Sequence, residues 1–189
     1  LLQYRPNGAL CASVGDSEAA LVRGSRAVAC LRTHKPDHRD ETLRIQRAGG
    51  FVQHGRLNGR LAMSRAFGDF GYGPALSCEP DLRHFRIGAA DLGFVLGTDG
   101  FWDVCTPEDC VHKLHQQRRR TDGLCRSLVH HALRRGSTDN VTAMVVPAHP
   151  VLLPGAEAEA PGGVLGVLAV RDPSSGAVAV LLVAVLLAA

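Results

Sequence analysis

An apolar run that ends in acidic residues lies near the middle of the chain, and it indicates both the fold and the position of a site. Residues 93–103 read Gly-Phe-Val-Leu-Gly-Thr-Asp-Gly-Phe-Trp-Asp. The run Gly93–Gly97 predicts a compact strand, and Asp99 follows it almost directly, in an Asp-Gly pair. Because the end of a strand is a rigid position, an acidic side chain there can converge with others from distant parts of the chain.

The segments on either side of this stretch predict an α+β domain. The predicted strands are Leu10–Val14, Ala19–Arg23, Arg26–Leu31 and Val141–Val146. The predicted helices are Arg39–Ala48, a helix capped by Thr106 with Pro107 at its first position, and Asp122–Arg135. A hairpin is predicted around Asn58-Gly59, with Arg56-Leu57 and Arg60-Leu61 as its arms. Because no strand-helix-strand repeat appears, this order favours antiparallel sheets with helices packed on a face.

Three more acidic residues lie in settings like that of Asp99. Asp16 follows Gly15, Asp103 follows the single tryptophan, and Asp139 precedes Asn140. Carboxylate oxygens are the ligands that Mg²⁺ and Mn²⁺ prefer. The alternative is that each residue only shapes a turn, since aspartate in such contexts bonds its own backbone. From the residues alone, the turn interpretation is favoured over the ligand interpretation at each position.

Composition excludes several classes of function. The 189 residues are 46% hydrophobic, which suits one globular domain. A net charge of +3 and an aromatic content of 5% provide neither a basic surface nor stacking rings, so we expect no nucleic-acid partner. Six cysteines without a Cys-x-x-Cys pair indicate reduced, buried thiols and an intracellular protein.

The histidines form close pairs on the two late helices. His112 and His115 lie three residues apart, and His130 and His131 are adjacent. Neither pair has a third ligand at a suitable spacing, and helices of this kind commonly expose histidines, so we expect no histidine metal site.

The composition changes near Pro147, where we place the domain boundary. Residues 1–147 form the predicted domain, and residues 148–189 form a tail rich in Ala, Val, Leu, Gly and Pro. As a helix, Gly176–Ala189 would be about 21 Å long, short of the roughly 30 Å hydrocarbon core of a bilayer. We therefore expect a low-complexity tail, with shallow membrane insertion as the alternative.

A series of short motifs follows in order along the chain. The motifs are Val-Gly-Asp-Ser at 14–17, His-Lys-Pro at 34–36, Arg-Ile-Gln-Arg-Ala-Gly-Gly at 44–50, Leu-Asn-Gly-Arg-Leu-Ala-Met-Ser-Arg-Ala-Phe-Gly-Asp at 57–69, Glu-Pro-Asp at 79–81, Asp-Gly-Phe-Trp-Asp at 99–103 and Gly-Ser-Thr-Asp-Asn-Val-Thr at 136–142. Taken together, over about residues 10–147, this series resembles the PPM-type (type 2C) metal-dependent Ser/Thr protein phosphatases.

This resemblance implies a sandwich of two antiparallel sheets with flanking helices and a dinuclear Mg²⁺ or Mn²⁺ centre at one edge. It implies that Asp99 and Asp139 are catalytic metal ligands of the dinuclear pair, and that Asp16 and Asp103 hold a weaker third ion together with Asp99. The implied reaction is hydrolysis of phosphoserine or phosphothreonine in proteins by a metal-activated water. The segment Ser64–Tyr72 would lie near a flap beside the cleft, where substrate choice is set.

The chain departs from the family pattern in two places. Glu18 stands where the family usually has arginine. The family's N-terminal Asp-Gly-His-Gly-Gly stretch, whose aspartate bridges the two metals, has no counterpart in the 189 residues. We therefore expect an N-terminally truncated phosphatase domain with little or no activity by itself. The alternative is a non-catalytic phosphatase-like module that binds phosphoproteins. In either case we expect phosphoprotein partners, a monomer, and a cytoplasmic or nuclear location.

Overall fold

The computed structural model describes residues 1–5, 8–116, 123–148, 167–170 and 185–186. Within these ranges the strands are β1 Leu2–Arg5, β2 Gly8–Ser13, β3 Glu18–Arg23, β4 Arg26–Ala29, β5 Val52–Gln53, β6 Arg56–Leu57, β7 Asp81–Phe85, β8 Asp91–Gly97, β9 Val141–Pro147, β10 Val167–Val170 and β11 Val185–Leu186. The helices are α1 Arg39–Arg47, α2 Asp99–Trp102, α3 Pro107–Gln116 and α4 Leu124–Arg134, and a 3-10 segment runs over Phe70–Ala75.

The strands form two larger sheets and one small hairpin. The first sheet has the order β11-β1-β2-β7, and the second has the order β10-β9-β8-β3-β4. Neighbouring strands are antiparallel, except that β1 and β11 run parallel. The predicted α+β sandwich of antiparallel sheets with flanking helices is therefore confirmed, with one parallel pairing at the edge of the first sheet.

Alternating side chains of the second sheet face two different apolar cores. In β8, Phe94 and Leu96 pack toward the first sheet, in a cluster that includes Leu2 and Phe85. Val95, between them, packs on the opposite face. The cluster on that face also takes apolar residues from α2, α3, α4 and β9, namely Phe101, Val111, Leu114, Leu128, Val129, Val141 and Val145. This period-two alternation makes the second sheet the central layer between the first sheet and the helices.

The small hairpin lies one turn earlier than the sequence predicts. Its strands β5 and β6 are joined at His54 and Gly55, which have φ values of 51° and 71°. Asn58 and Gly59 form the next tight turn, also left-handed, and an isolated bridge between Leu57 and Leu61 follows it. Histidine tolerates the left-handed region better than most residues, so two consecutive turns of the same hand fit within a short segment.

Parts of two predicted segments lie outside the described residues. These parts are the start of the last predicted helix, at Asp122, and most of the predicted tail. Two short pieces of that tail are described as β10, which pairs with β9, and β11, which pairs with β1. Among the described residues, no helix has the length and apolar character needed to cross a membrane.

Candidate active site

Asp99 lies at the junction of a central strand and a short helix. β8 ends at Gly97, and Asp99 is the first residue of α2. Its Oδ1 accepts a hydrogen bond from the N–H of Gly100 at 2.9 Å. One helical turn later, the N–H of Asp103 donates to the carbonyl of Asp99 at 2.8 Å. Residues four apart lie on the same face of a helix, so Asp99 and Asp103, the residue that caps the end of α2, lie on one side of it.

Asp139 is held beside Asp99 by hydrogen bonds between two loops. The hydroxyl of Thr98 donates to the carbonyl of Asn140 at 3.1 Å and accepts the N–H of Thr142 at 3.1 Å. The hydroxyl of Ser137 donates to the carbonyl of Gly100 at 2.6 Å. Because Thr98 and Asn140 are buried, these bonds replace water and fix the two loops against each other.

Gly100 permits this close approach. A Cβ placed there would lie 2.5 Å from the carbonyl oxygen of Asn140 and 3.1 Å from the Cβ of Asp139. Carbon and oxygen do not approach this closely in ordinary contacts, so the absence of a side chain at this position lets the Asp99 and Asp139 segments touch.

Asp16 reaches the same edge from a turn between β2 and β3. The turn is made at Gly15, which has a φ of 97° and whose N–H donates to Nδ1 of the buried His34 at 3.0 Å. The Asp16 side chain is buried, and Oδ2 accepts a hydrogen bond from Nζ of Lys35 at 2.6 Å. Lys35 thus neutralises one carboxylate and fixes its orientation.

The four predicted site residues form one electrostatic cluster. Burial raises the pKa of the Asp99 carboxyl above its usual value. The negative charges of Asp16, Asp139 and Asp103 raise it further, and the N–H of Gly100 opposes the shift. Carboxylates that disfavour one another's charge are a setting in which a bound cation is stabilising.

The side chains of this cluster offer carboxylate oxygens, which are donors that suit a hydrated ion. Within the described part of the chain, no three of the four aspartates bring their oxygens within 4.8 Å of one another. Mg²⁺ and Mn²⁺ bind through oxygen, and Mg²⁺ keeps several of its waters, so it needs few direct protein ligands. The donor set therefore fits the metal that the family resemblance implies.

Glu18 adds an unusual negative charge beside the cluster. It begins β3 opposite Gly97, and its carbonyl accepts the indole N–H of Trp102 at 3.1 Å. Burial raises the pKa of its carboxyl, Lys35 opposes that shift, and Asp103 and Asp16 add to it. A side chain whose charge is disfavoured in this way adds less negative potential to the site than an exposed glutamate would.

A buried ion-pair network, not found by sequence reasoning, holds the segment beside the site. Glu41 accepts hydrogen bonds from Arg65 at 2.6 Å and from Arg44 at 2.9 Å. Arg65 also pairs with Asp81 at 3.1 Å, at the start of β7. The predicted flap segment begins here, and the carbonyl of Arg65 lies 3.4 Å from the position of a Cβ on Gly15, next to Asp16. Glu41 and Arg44 lie three residues apart on a helix, which is the one local signal of this network.

Comparison with known proteins places the chain in a family. The family model described as "Protein phosphatase 2C" matches residues 1–141. The chain belongs to the protein phosphatase 2C family. The family predicted from the sequence motifs is thereby confirmed.

Individual relatives of the chain are named as protein phosphatases 2C. The chain is 40% identical over 140 residues to a probable protein phosphatase 2C 59 of Arabidopsis thaliana, covering 72% of this chain and 45% of the relative. It is 34% identical over 167 residues to a probable protein phosphatase 2C 54 of rice (Oryza sativa subsp. japonica), covering 82% and 46% respectively. The chain thus spans about half the length of these curated protein phosphatase 2C relatives.

Two solved structures have a fold similar to that of the chain. A serine-threonine phosphatase 2C from Toxoplasma gondii matches with a TM-score of 0.65 at 29% identity, covering 75% of this chain and 54% of that one. A C. elegans sex determining protein matches with a TM-score of 0.70, also at 29% identity, covering 75% of this chain and 37% of that one. The first of these proteins is named as a phosphatase, and the second is named for its role in sex determination.

Proposed function

We propose that this chain carries part of the active site of a metal-dependent phosphatase that hydrolyses phosphoserine and phosphothreonine in proteins. The observation that supports the proposal is the cluster of Asp16, Asp99, Asp103 and Asp139 at one edge of the second sheet. We assign Asp99 and Asp139 to the dinuclear pair of ions, and Asp16 and Asp103, with Asp99, to a weaker third ion.

Side chains around these aspartates hold the site together through hydrogen bonds. Thr98 and Ser137 hold the Asp99 and Asp139 loops together, and Lys35 orients Asp16. When bound, Mg²⁺ or Mn²⁺ supplies an activated water at neutral pH and offsets charge on the phosphoryl oxygens. Placing the carboxylates on strand ends and on a helix start keeps the geometry of the site fixed before substrate binds.

The 189 residues alone are expected to have little or no phosphatase activity. They contain no Asp-Gly-His-Gly-Gly stretch, so the four aspartates hold the ions without a bridging carboxylate. A site with few carboxylates binds Mg²⁺ weakly. The alternative function, phosphoprotein binding without turnover, follows from the same deficit and is distinguished by the assay below.

The decisive assay measures phosphate release from a phosphothreonine peptide by the purified 189-residue chain, with Mn²⁺ varied. A slow, Mn²⁺-dependent release that Asp139→Asn abolishes supports the enzyme. The matched control is Asp37→Asn, which changes an exposed aspartate outside the cluster and leaves the rate unchanged. Binding of the phosphopeptide with no release at any Mn²⁺ concentration would instead favour the binding module.

We further propose that the protein acts as a monomer in the cytoplasm or nucleus. All six cysteines are free thiols, and five of them are buried, which supports a reducing compartment. Light scattering on the purified protein tests the monomer, and a dimer at micromolar concentration would contradict it. Fractionation of a tagged chain with and without residues 176–189 tests whether the predicted tail contacts membrane.

A further inference from the structure

Away from the aspartate cluster, three side chains of different chemistry meet on the helical face of the molecule. Cys105 follows α2, Asp109 lies in the first turn of α3, and His131 lies in the last turns of α4. One donor atom from each residue lies within 4.8 Å of the other two. We propose that these residues form a binding site for a thiophilic divalent cation, namely Zn²⁺, separate from the phosphatase metals.

Asp109 is already oriented for this role. Its Oδ2 accepts the N–H of Thr106 at 2.8 Å, the Thr106 hydroxyl at 3.1 Å, and Nη1 of Arg135 at 3.1 Å. These three donors fix the carboxylate and leave Oδ1 facing His131, whose Nε2 lies 3.4 Å away. Outer hydrogen bonds that hold a ligand in place are a regular feature of protein metal sites.

His131 and Cys105 supply the two softer donors. Nε2 of His131 is buried, and within the described residues its 3.4 Å approach to Oδ1 of Asp109 does not have the geometry of a full hydrogen bond. Cys105 is 4% exposed, whereas the side chains of Asp109 and His131 are 17% and 23% exposed, so an ion can enter from their side. A neutral imidazole and a thiolate are ligands that zinc accepts readily.

The geometry matches zinc better than the ions of the aspartate cluster. With bonds of about 2.0–2.3 Å, a tetrahedral zinc ion holds its donors about 3–4 Å apart. Small side-chain movements therefore bring the three donor atoms within bonding distance of a zinc ion. A water or an external group completes the fourth coordination position. A sulfur, nitrogen and oxygen set favours Zn²⁺, whereas Mg²⁺ and Mn²⁺ favour sites made of oxygen alone.

Two negative charges oppose the charge of the ion when it binds. Zinc binding displaces the proton of the Cys105 thiol to solvent, the thiolate and Oδ1 of Asp109 face the ion, and Arg135 keeps its contact with Oδ2 of the same carboxylate. Such an ion would tie the end of α2 to α3 and α4. Sequence spacing did not reveal the site because its residues come from three separate elements.

The test uses Co²⁺ as a spectroscopic substitute for Zn²⁺, added to the reduced 189-residue chain. We expect one equivalent of Co²⁺ to give a sulfur-to-cobalt absorption band, and Zn²⁺, but not excess Mg²⁺, to displace it. Cys105→Ser should remove the band, and His131→Gln should weaken Zn²⁺ affinity at least about 100-fold. The matched controls are His130→Gln, the exposed neighbour on α4, and Cys78→Ser, the exposed thiol; both should bind as the wild type does.

Two results would overturn the proposal. One is the absence of a sulfur-to-cobalt band in the folded wild-type chain. The other is a band that persists in Cys105→Ser, since another thiol would then hold the ion. Far-ultraviolet circular dichroism shows whether each variant folds, and a Zn²⁺-dependent rise in Tm in the wild type but not in His131→Gln gives a second readout. Because every readout is binding or stability, the outcome does not depend on phosphatase activity.

Discussion

Replacing Gly100 by alanine tests whether the contact between the Asp99 and Asp139 segments builds the site. The added Cβ would lie 2.5 Å from the carbonyl oxygen of Asn140, where ordinary contacts begin near 3.4 Å. One backbone segment must therefore move by roughly 1 Å past the other. Overpacking of this kind costs about 1–3 kcal/mol, and the better helix propensity of alanine returns up to about 1 kcal/mol.

We therefore expect Gly100→Ala to lower the free energy of unfolding by up to about 3 kcal/mol and to weaken Mn²⁺ binding, since Asp99 and Asp139 are pushed apart. Urea denaturation measures the first effect, and Mn²⁺ titration the second. The matched control is Gly71→Ala, because nothing lies within 4 Å of a Cβ at that position. A Gly100→Ala protein that is as stable as wild type within about 0.5 kcal/mol, with unchanged Mn²⁺ affinity, would refute the reasoning.

Two further substitutions test the supports of the site. Burial favours a raised pKa for Glu41, but hydrogen bonds from Arg65 and Arg44 outweigh it and lower the pKa from 4.5 to about 2. The resulting stability is present above about pH 4.5 and is lost as the pH falls toward 2, so Glu41→Gln should cost on the order of 3 kcal/mol at pH 7 and less at pH 3 in urea denaturation. An equal loss at both pH values would contradict this assignment. Thr98→Val should cost about 1–3 kcal/mol in the same assay because it removes the hydroxyl bonds to Asn140 and Thr142, whereas Thr98→Ser should retain most of the stability. Equal stability of the two Thr98 variants would show that the hydroxyl does not support the loops.

The sequence predicted those parts of the molecule that depend on local patterns. The apolar run before Asp99 and the cap at Thr106 specify a strand and a helix start, and both are present in the structure. The motif series identified the family because its order along the chain is preserved. Local pattern also placed Asp16 and Asp139 in turns.

What the sequence could not predict depends on contacts between distant segments. The Glu41–Arg65 pair and the meeting of Cys105 with His131 join residues whose spacing carries no periodic signal. Asn-Gly, the stronger local signal, predicts the turn that carries the bridge between Leu57 and Leu61, but it does not predict the preceding two-stranded hairpin, whose turn at His54-Gly55 adopts the same left-handed geometry. Leu57, in β6, packs in an apolar cluster with Ile45 and Ala75. This tertiary contact accompanies the pairing of β5 with β6.

Binding of Mn²⁺ to the 189-residue chain, followed by electron paramagnetic resonance, tests most directly whether the four aspartates form a metal centre. We predict weak, saturable binding that Asp139→Asn lowers at least about tenfold and that Asp37→Asn leaves unchanged. His131→Gln should also leave it unchanged, because that residue belongs to the separate sulfur-containing site. Mn²⁺ affinity that is the same in the wild type and in Asp139→Asn would contradict the account.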